Sequence, residues 1–250
     1  MLAAFLTLLS VGPAVAQTVL HTAAQMGSDP QYIDSMIGQT HVVNGLCIDL
    51  HRAIERVEPS LRIAGDQNWQ PSSRIEEHLA DGRLDMACAM VRTPEREKHL
   101  LFIEPRVSTL NFVLASRSND PAQIKSWDDV RRLAPDNVVL ANHGWGYVHQ
   151  LDDVPGLHLD TSAYSPEVNL QKLVAGHGRF FYFREPGISE AIHRAGVAGQ
   201  VHILPTVMKT ADTFMAVRAD LPTQTVAVLQ QAMMQLASTG ELAKLAARWE

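Results

Sequence analysis

The chain has 250 residues, of which 46% are hydrophobic and 19% are charged, and its formal net charge is −6. This composition is typical of a globular protein and excludes a collagen-like or low-complexity chain. The negative charge and the lack of a long basic run argue against nucleic acid as a partner. The length suits one large domain or two smaller ones of roughly 100–200 residues. The cysteines and histidines show no zinc-binding spacing, so we expect no metal and no cofactor.

Residues 1–16 are predicted to be an export signal. The segment MLAAFLTLLSVGPAVA is apolar and uncharged, and it ends in Ala14-Val15-Ala16, which matches the A-x-A pattern of a signal-peptide cleavage site. It is shorter than the ~20 apolar residues that a transmembrane helix needs. The usual basic start is missing, and a buried N-terminal helix is the alternative interpretation. We therefore expect an exported, soluble chain with no stable membrane insertion.

Export makes a disulfide between the two cysteines, Cys47 and Cys88, a reasonable hypothesis, because oxidising compartments preserve such bonds. Cys47 lies near the start of a predicted helix, and Cys88 lies in an apolar run over 84–91. A bridge would close a loop of about 40 residues and would contribute ~3–4 kcal/mol in the chain-entropy model. Two buried free thiols are the alternative.

The first half of the chain alternates between strand and helix patterns. The predicted elements are a strand over 19–24, a helix over 48–57, a strand over 61–64, a helix over 72–79 and a strand over 84–91. Ser73 and Glu76 have the spacing of a capping box at the start of the second helix. The nearly unbroken apolar run over 84–91 is typical of a strand that is covered on both faces. This order predicts an α/β domain with right-handed crossovers.

The second half repeats the alternation. The predicted elements are strands over 111–116, 138–141, 180–183, 201–204 and 213–218, and helices starting at Ser126 and over 166–174, 187–195, 222–237 and 241–249. The segment 142–147 follows a strand and is expected to open a further helix.

Several short segments together resemble one known family. They are GLCIDL at 45–50, LADGRLD at 79–85, RTPER at 92–96, FIEP at 102–105, LVAG at 173–176 and STGEL at 238–242. In this order they resemble the bacterial solute-binding proteins of family 3. Those proteins are type II periplasmic receptors that supply polar amino acids and related solutes to ABC importers. The resemblance spans nearly the whole chain after residue 16.

The resemblance implies an α/β, two-lobed type II periplasmic-binding-protein fold whose lobes are joined by two crossover strands. Lobe 1 would comprise residues 17–114 and 214–250, and lobe 2 residues 115–213. A small-molecule solute would bind between the lobes, which would close on it like a hinge. The expected protein is a periplasmic monomer with an ABC permease as a possible partner.

The resemblance makes Arg96 the leading candidate for ligand binding, because the arginine of the T-x-E-R motif grips a ligand carboxylate in similar receptors. A guanidinium does this with two parallel hydrogen bonds. The alternative is a surface arginine paired with Glu95 or Glu97. Arg92 departs from the family pattern, and it either adds a second positive charge to the cleft or points to solvent.

The ammonium-binding position of the family is altered in this chain. Phe181 stands where the family commonly has an aspartate that binds the ligand ammonium. Glu185 could replace that acid, whereas the adjacent Arg184 could recruit an anion, and a surface pair between the two is the alternative. We therefore expect a carboxylate-bearing solute that need not be an α-amino acid.

A glycine-rich segment and two tryptophans complete the predicted site. Gly144 and Gly146 could offer backbone N–H groups to an anion at a helix start. Trp69 and Trp145 could contact a ring or an apolar part of the solute. Each tryptophan could equally be buried within its own lobe.

No motif of nucleophilic, zinc-dependent or P-loop catalysis occurs in the sequence, so we expect a receptor rather than an enzyme. Two alternatives remain. One is a periplasmic lyase on the same fold, similar to cyclohexadienyl dehydratase, in which Glu185 would serve as the acid or base. The other is a ligand sensor that takes no part in transport, which fold alone does not distinguish from a transport receptor.

Overall fold

The structure is a computed structural model that describes residues 17–145, 147–148, 151 and 154–249. The predicted export signal over 1–16 and the predicted ligand residue Gly146 lie outside the described residues.

The described strands vary widely in length. They are β1 (Thr18–His21), β2 (Ala24–Gln25), β3 (Ile33–Ile37), β4 (Thr40–Asn44), β5 (Leu61–Ala64), β6 (Trp69–Gln70), β7 (Met86–Val91), β8 (Leu100–Arg117), β9 (Val138–Asn142), β10 (His158–Ala163), β11 (Phe180–Glu185) and β12 (Val201–Arg218).

The described helices are mostly short. They are α1 (Leu46–Val57), α2 (Ser72–Ala80), α3 (Trp127–Arg131), α4 (Pro166–Val174), α5 (Ile188–Arg194), α6 (Thr223–Ser238) and α7 (Glu241–Arg248). A single 3-10 turn, Arg96–Lys98, follows β7. No helix in the described ranges is both long and apolar enough to cross a membrane.

Two long strands run through both halves of the molecule. A six-stranded sheet has the order β10-β9-β11-β8-β12-β7, and β8 and β12 pair antiparallel along almost their full length, from Leu100 opposite Arg218 to Arg117 opposite Val201. One end of this ribbon pairs with β7 and the other end with β11. The strands β8 and β12 are therefore the two crossovers of the predicted two-lobed fold. The predicted lobe boundaries, at 114/115 and 213/214, fall within them and stay a prediction.

Each lobe has its own hydrophobic core. In the first, the buried stripe of α1, which includes Leu50 and Ile54, packs with β12 and α6. In the second, β11 is buried on both faces and packs against α4 and α5. Because each lobe has a separate core, neither core fills the space between the lobes, and a ligand-binding site can lie there.

A disulfide joins α1 to the central sheet. Cys47 and Cys88 are bonded, with their Cα atoms 5.9 Å apart and 41 positions apart in sequence. Both residues are buried. The first turn of α1 is thereby fixed to the middle of β7.

The structure corrects several predicted elements. The strand predicted over 111–116 is the end of β8, and the two strands predicted over 201–204 and 213–218 are one continuous β12. The hairpin of β3 and β4 and the edge strand β10 were not predicted. These segments are held by backbone ladders and are largely exposed, so they lack the apolar pattern that indicates a strand.

Candidate functional site

Two adjoining cavities lie between the lobes. The inner cavity measures about 40 Å³ and the outer cavity about 800 Å³. Tyr32, Ser72 and Trp145 line both of them. The inner cavity is bounded by the carboxyl end of β7, where ligands of open α/β sheets typically bind. We therefore take the two cavities together as the candidate site.

Arg96 lines the inner cavity from the lobe 1 side. It follows β7 at the 3-10 turn, its backbone N–H donates to Thr93 Oγ1 at 3.3 Å, and the residue is 6% exposed. One guanidinium nitrogen donates to Val91 O at 2.7 Å, and the other forms an ion pair with Glu76 at 2.6 Å. Arg96 is therefore paired with Glu76 of α2. Since a guanidinium carries five N–H groups, Arg96 keeps donors for a ligand.

Arg184 lines the same cavity from the lobe 2 side. It lies in β11 and is 3% exposed. Its guanidinium donates to Pro186 O at 2.8 Å and to Gly27 O at 3.3 Å, and it forms no ion pair with any residue that the structure describes. Burial lowers the pKa of Arg184 to about 10, so the side chain is still a cation at neutral pH. A buried, unpaired cation calls for an anionic partner.

Other polar atoms around the inner cavity also lack partners. Within the described part of the chain, Arg96 Nε, Gln31 Oε1 and the Tyr147 hydroxyl are buried without a hydrogen bond. Burial raises the pKa of Tyr147 well above its ordinary value, so its hydroxyl keeps its proton and can donate. Because buried polar groups are rarely left unsatisfied, this cluster indicates a binding site for a polar molecule.

The backbone of β7 is strained where it meets the cavity. Ala89 lines the inner cavity with a φ of 56°, in the left-handed region that residues with a Cβ rarely adopt. Such strain is concentrated at functional sites.

The outer cavity has aromatic walls. Trp69, Trp145 and Tyr164 line it together with His143, whose ring lies 4.6 Å from that of Tyr164. Trp145 is buried, and its ring lies 5.5 Å from that of Phe183. The structure therefore brings the predicted Trp69 and Trp145 to one cavity. Among the described residues, no cluster of His, Cys, Asp and Glu side chains is placed to hold a metal ion.

Close contacts join the lobes beside the cavities. Arg194 of α5 forms an ion pair with Asp29 of lobe 1 at 2.8 Å, in addition to the bond from Arg184 to Gly27 O. Gly187 has a φ of 123°, and a Cβ there would lie 2.5 Å from Asp29 O. The two lobes therefore lie in a closed arrangement, and glycine is required at position 187 for it.

Three predicted site residues lie elsewhere. Arg92 lines neither cavity, because Glu104 at 2.7 Å and the Phe214 ring at 4.2 Å hold its guanidinium. Glu185 follows Arg184 on the strand and points to the opposite face, where it lines a separate surface cavity with Asn111. Gly144 lies against Ser73 and is not among the lining residues.

Sequence reasoning also missed several groups. Glu76 was predicted to belong to a capping box, but α2 begins after Pro71 with no side-chain cap, and Glu76 contacts Arg96 instead. The pair of Arg194 and Asp29 was not predicted, because the two residues are brought together only when the lobes meet. No local signal in the sequence could have identified either contact.

Comparison with known proteins identifies the family. The family model described as bacterial extracellular solute-binding proteins, family 3, matches residues 24–250. A search of curated proteins gives no match.

Solved structures share the fold at low sequence identity. One is the substrate-binding protein AbpA of an amino acid ABC transporter from Streptococcus pneumoniae, bound to L-arginine, with a TM-score of 0.74, 18% identity, and coverage of 92% of this chain and 93% of that one. Another is a histidine kinase sensor domain similar to periplasmic binding proteins, with a TM-score of 0.76, 17% identity, and coverage of 94% and 96%. A third is an ancestral amino acid-binding protein that is a precursor of cyclohexadienyl dehydratase, with a TM-score of 0.72, 19% identity, and coverage of 92% and 95%. The two-lobed fold and the match over residues 24–250 agree, and this chain belongs to the bacterial extracellular solute-binding proteins of family 3.

Proposed function

We propose that this protein is a periplasmic receptor that binds a small carboxylate-bearing solute between its lobes and delivers it to an ABC importer. The observation that carries the proposal is the inner cavity, in which two buried arginines face one space from opposite lobes. Arg96 and Arg184 are the only charged side chains among the described residues that line it.

The placement of the two arginines links binding to closure. A carboxylate held by Arg96 reaches Arg184 only when the lobes are together, because the two side chains belong to different lobes. A ligand that interacts better with the closed form shifts the population towards it. Trp145, which lines both cavities, then covers the part of the solute that extends outward.

The relatives support a solute of this kind. The Streptococcus pneumoniae protein of the same fold is bound to L-arginine, which carries a carboxylate, and it serves an amino acid ABC transporter. The family to which this chain belongs is extracellular, which supports export to the periplasm.

The lyase alternative has less support. A dehydratase needs an acid or base in the cleft. None of the described residues that line the inner cavity is a carboxylate, and the carboxylates that line the outer cavity are paired with Arg194 or His41. Glu185, the candidate for that role, lies on the other face of β11. We expect no product when the protein is incubated with a cyclohexadienyl acid, and turnover detected by absorbance would contradict the receptor proposal.

The direct test is a thermal unfolding screen of the purified protein with carboxylic acids, including amino acids, hydroxy acids and dicarboxylates. A ligand at ~1,000 times its Kd adds roughly 4 kcal/mol of stability. At about 2–4 °C per kcal/mol for a chain of this size, the melting temperature should rise by about 10 °C. Calorimetric titration of each hit then gives the affinity. If no carboxylate raises the melting temperature, the proposal is wrong.

The sensor alternative predicts the same solute binding, but the bound protein would trigger a signalling response instead of solute uptake. A kinase sensor domain has the same fold, so the fold does not decide between the two roles. Deletion of the gene should abolish uptake of the radiolabelled solute if the protein serves an importer. Unchanged uptake with a lost transcriptional response would favour the sensor.

A further inference from the structure

We propose that the solute is an organic acid with no ammonium group on the carbon next to its carboxylate, and that Arg184 enforces this selection. The inference rests on the proposed carboxylate-binding function and narrows its substrate class. Its basis is the distribution of charge around the inner cavity.

The inner cavity is a cationic space. Arg96 and Arg184 line it, and none of the described residues that line it is acidic. Glu76 lies beside Arg96 and neutralises one of the two charges. The remaining charge, that of Arg184, is matched by a net monoanion. The ammonium group of an amino acid cancels one of its own negative charges, so each amino acid offers one negative charge fewer than the matching hydroxy acid.

An α-ammonium group would meet this positive charge directly. It is bonded to the carbon next to the carboxylate, so a carboxylate held between Arg96 and Arg184 keeps the ammonium group close to both guanidinium groups. Like charges in a poorly solvated site repel strongly. The ammonium group would also need acceptors to replace its hydration.

The nearby acidic groups are engaged elsewhere. Glu76 is bound to Arg96. Four carboxylates of the described residues line the adjoining outer cavity: Asp29, Glu167 and Glu190 pair with Arg194, and Asp34 pairs with His41. Glu185 lines a separate surface cavity. Phe181 is fully buried and stacks on Phe183, so it offers no polar atom to a ligand.

The unpartnered groups of the cavity suit an oxygen substituent instead. The protonated Tyr147 hydroxyl can donate a hydrogen bond, and the unpartnered Gln31 Oε1 can accept one. A hydroxyl group in place of the ammonium group can accept from Tyr147 and donate to Gln31 Oε1 without adding positive charge.

Matched acid pairs provide the test. We would titrate the purified protein with pairs that differ only at the α-carbon: lactate and alanine, malate and aspartate, 2-hydroxyglutarate and glutamate, and phenyllactate and phenylalanine. Whichever carbon skeleton fits, its hydroxy acid should bind at least about tenfold more tightly than its amino acid, which corresponds to 1.4 kcal/mol. Equal or tighter binding of the amino acid would overturn this inference and leave the receptor function standing. If neither member of any pair binds, both proposals fail.

Substitution of Arg184 tests its role in the selection. R184Q should weaken binding of the hydroxy acid at least tenfold and reduce the preference over the amino acid to below threefold, because the repelling charge is gone. R184K keeps the positive charge and should keep the preference for the hydroxy acid. If R184Q does not fold, R184K is the variant that tests the role of the charge. R83Q is the matched control, since Arg83 is exposed, lines neither cavity and pairs with Asp81 on the surface. A preference that persists unchanged in a folded R184Q protein would refute the assigned role.

Discussion

At the scale of single residues, the two cavity arginines are stabilised by different means. Arg96 has a carboxylate partner in Glu76, whereas Arg184 is surrounded by the carbonyl oxygens of Pro186 and Gly27 and by aromatic rings. Removing a cation from water without an ion pair costs free energy. An anion bound in the cleft would offset this cost, so the buried Arg184 favours an anionic ligand.

Replacement of Arg96 is the sharpest single-residue prediction. We expect R96Q to weaken solute binding by about 2–5 kcal/mol, the effect of removing one side of a buried charge pair. Calorimetric titration measures the loss. Because Glu76 would then lack its partner, the double variant E76Q/R96Q is the control for folding. An unchanged affinity in a folded R96Q protein would exclude Arg96 as the anchor.

At the scale of elements, the disulfide is the covalent link between α1 and β7. It spans 41 positions and holds a helix of the first core against the strand that forms the floor of the site. Its contribution to stability depends on the length of the loop that it closes in the unfolded chain.

We expect the double variant C47A/C88A to be less stable than the wild type by about 3–4 kcal/mol, as loop-closure entropy predicts for a loop of this length. Denaturant unfolding followed by circular dichroism measures the difference. Reduced wild-type protein should show a similar loss. Equal stability of the oxidised and reduced forms would contradict the prediction.

The ion pair between Asp160 of β10 and Lys172 of α4 should make the stability of the protein depend on pH. Burial acts to raise the pKa of Asp160, but hydrogen bonds from Lys172, at 2.5 Å, and from Ser162 outweigh it and lower the pKa to about 2. Since the pKa is lower in the folded state, the stabilisation is present at neutral pH and is lost as the pH falls from about 4 towards 2.

D160N should therefore lower the free energy of unfolding by about 2 kcal/mol at pH 7. The difference in this free energy between variant and wild type should disappear as the pH falls from about 4 to about 2. Chemical denaturation at a series of pH values tests both statements. A gap that stays constant down to pH 2 would show that the carboxylate charge is not responsible.

At the scale of the whole molecule, closure depends on few interlobe contacts. The pair of Arg194 and Asp29 and the bond from Arg184 to Gly27 O connect the lobes beside the cavities, while β8 and β12 join them covalently. Hinge motion of such lobes is absorbed by a few residues of the connecting segments. A small change in contact energy can therefore shift the balance between open and closed forms.

We expect R194Q to favour the open form without unfolding either lobe. A partly exposed ion pair contributes roughly 0.2–1 kcal/mol, so the apparent affinity should fall by up to about fivefold. Small-angle X-ray scattering should show a larger radius of gyration in the variant. D29N should have the same effect, and an unchanged radius and affinity in both variants would contradict the prediction.

The sequence alone determined the α/β alternation of the chain. Local apolar spacing predicts the strand over 84–91, which is buried on both faces, and the amphipathic helix α1. It does so because the apolar residues of these segments must be buried in a core. The motif resemblance added the two-lobed class and the candidate Arg96. The long crossover strands were underestimated, since their middle residues are exposed and show no apolar pattern.

Only the tertiary structure decided which side chains face the cleft. Arg184 and Glu185 are neighbours in sequence, yet the alternation of a strand sends one to the inner cavity and the other to the opposite face. The contacts between Arg96 and Glu76 and between Arg194 and Asp29 join residues that are far apart in the chain. Composition and spacing carry no information about such contacts, because these contacts depend on strand register and on how the two lobes dock.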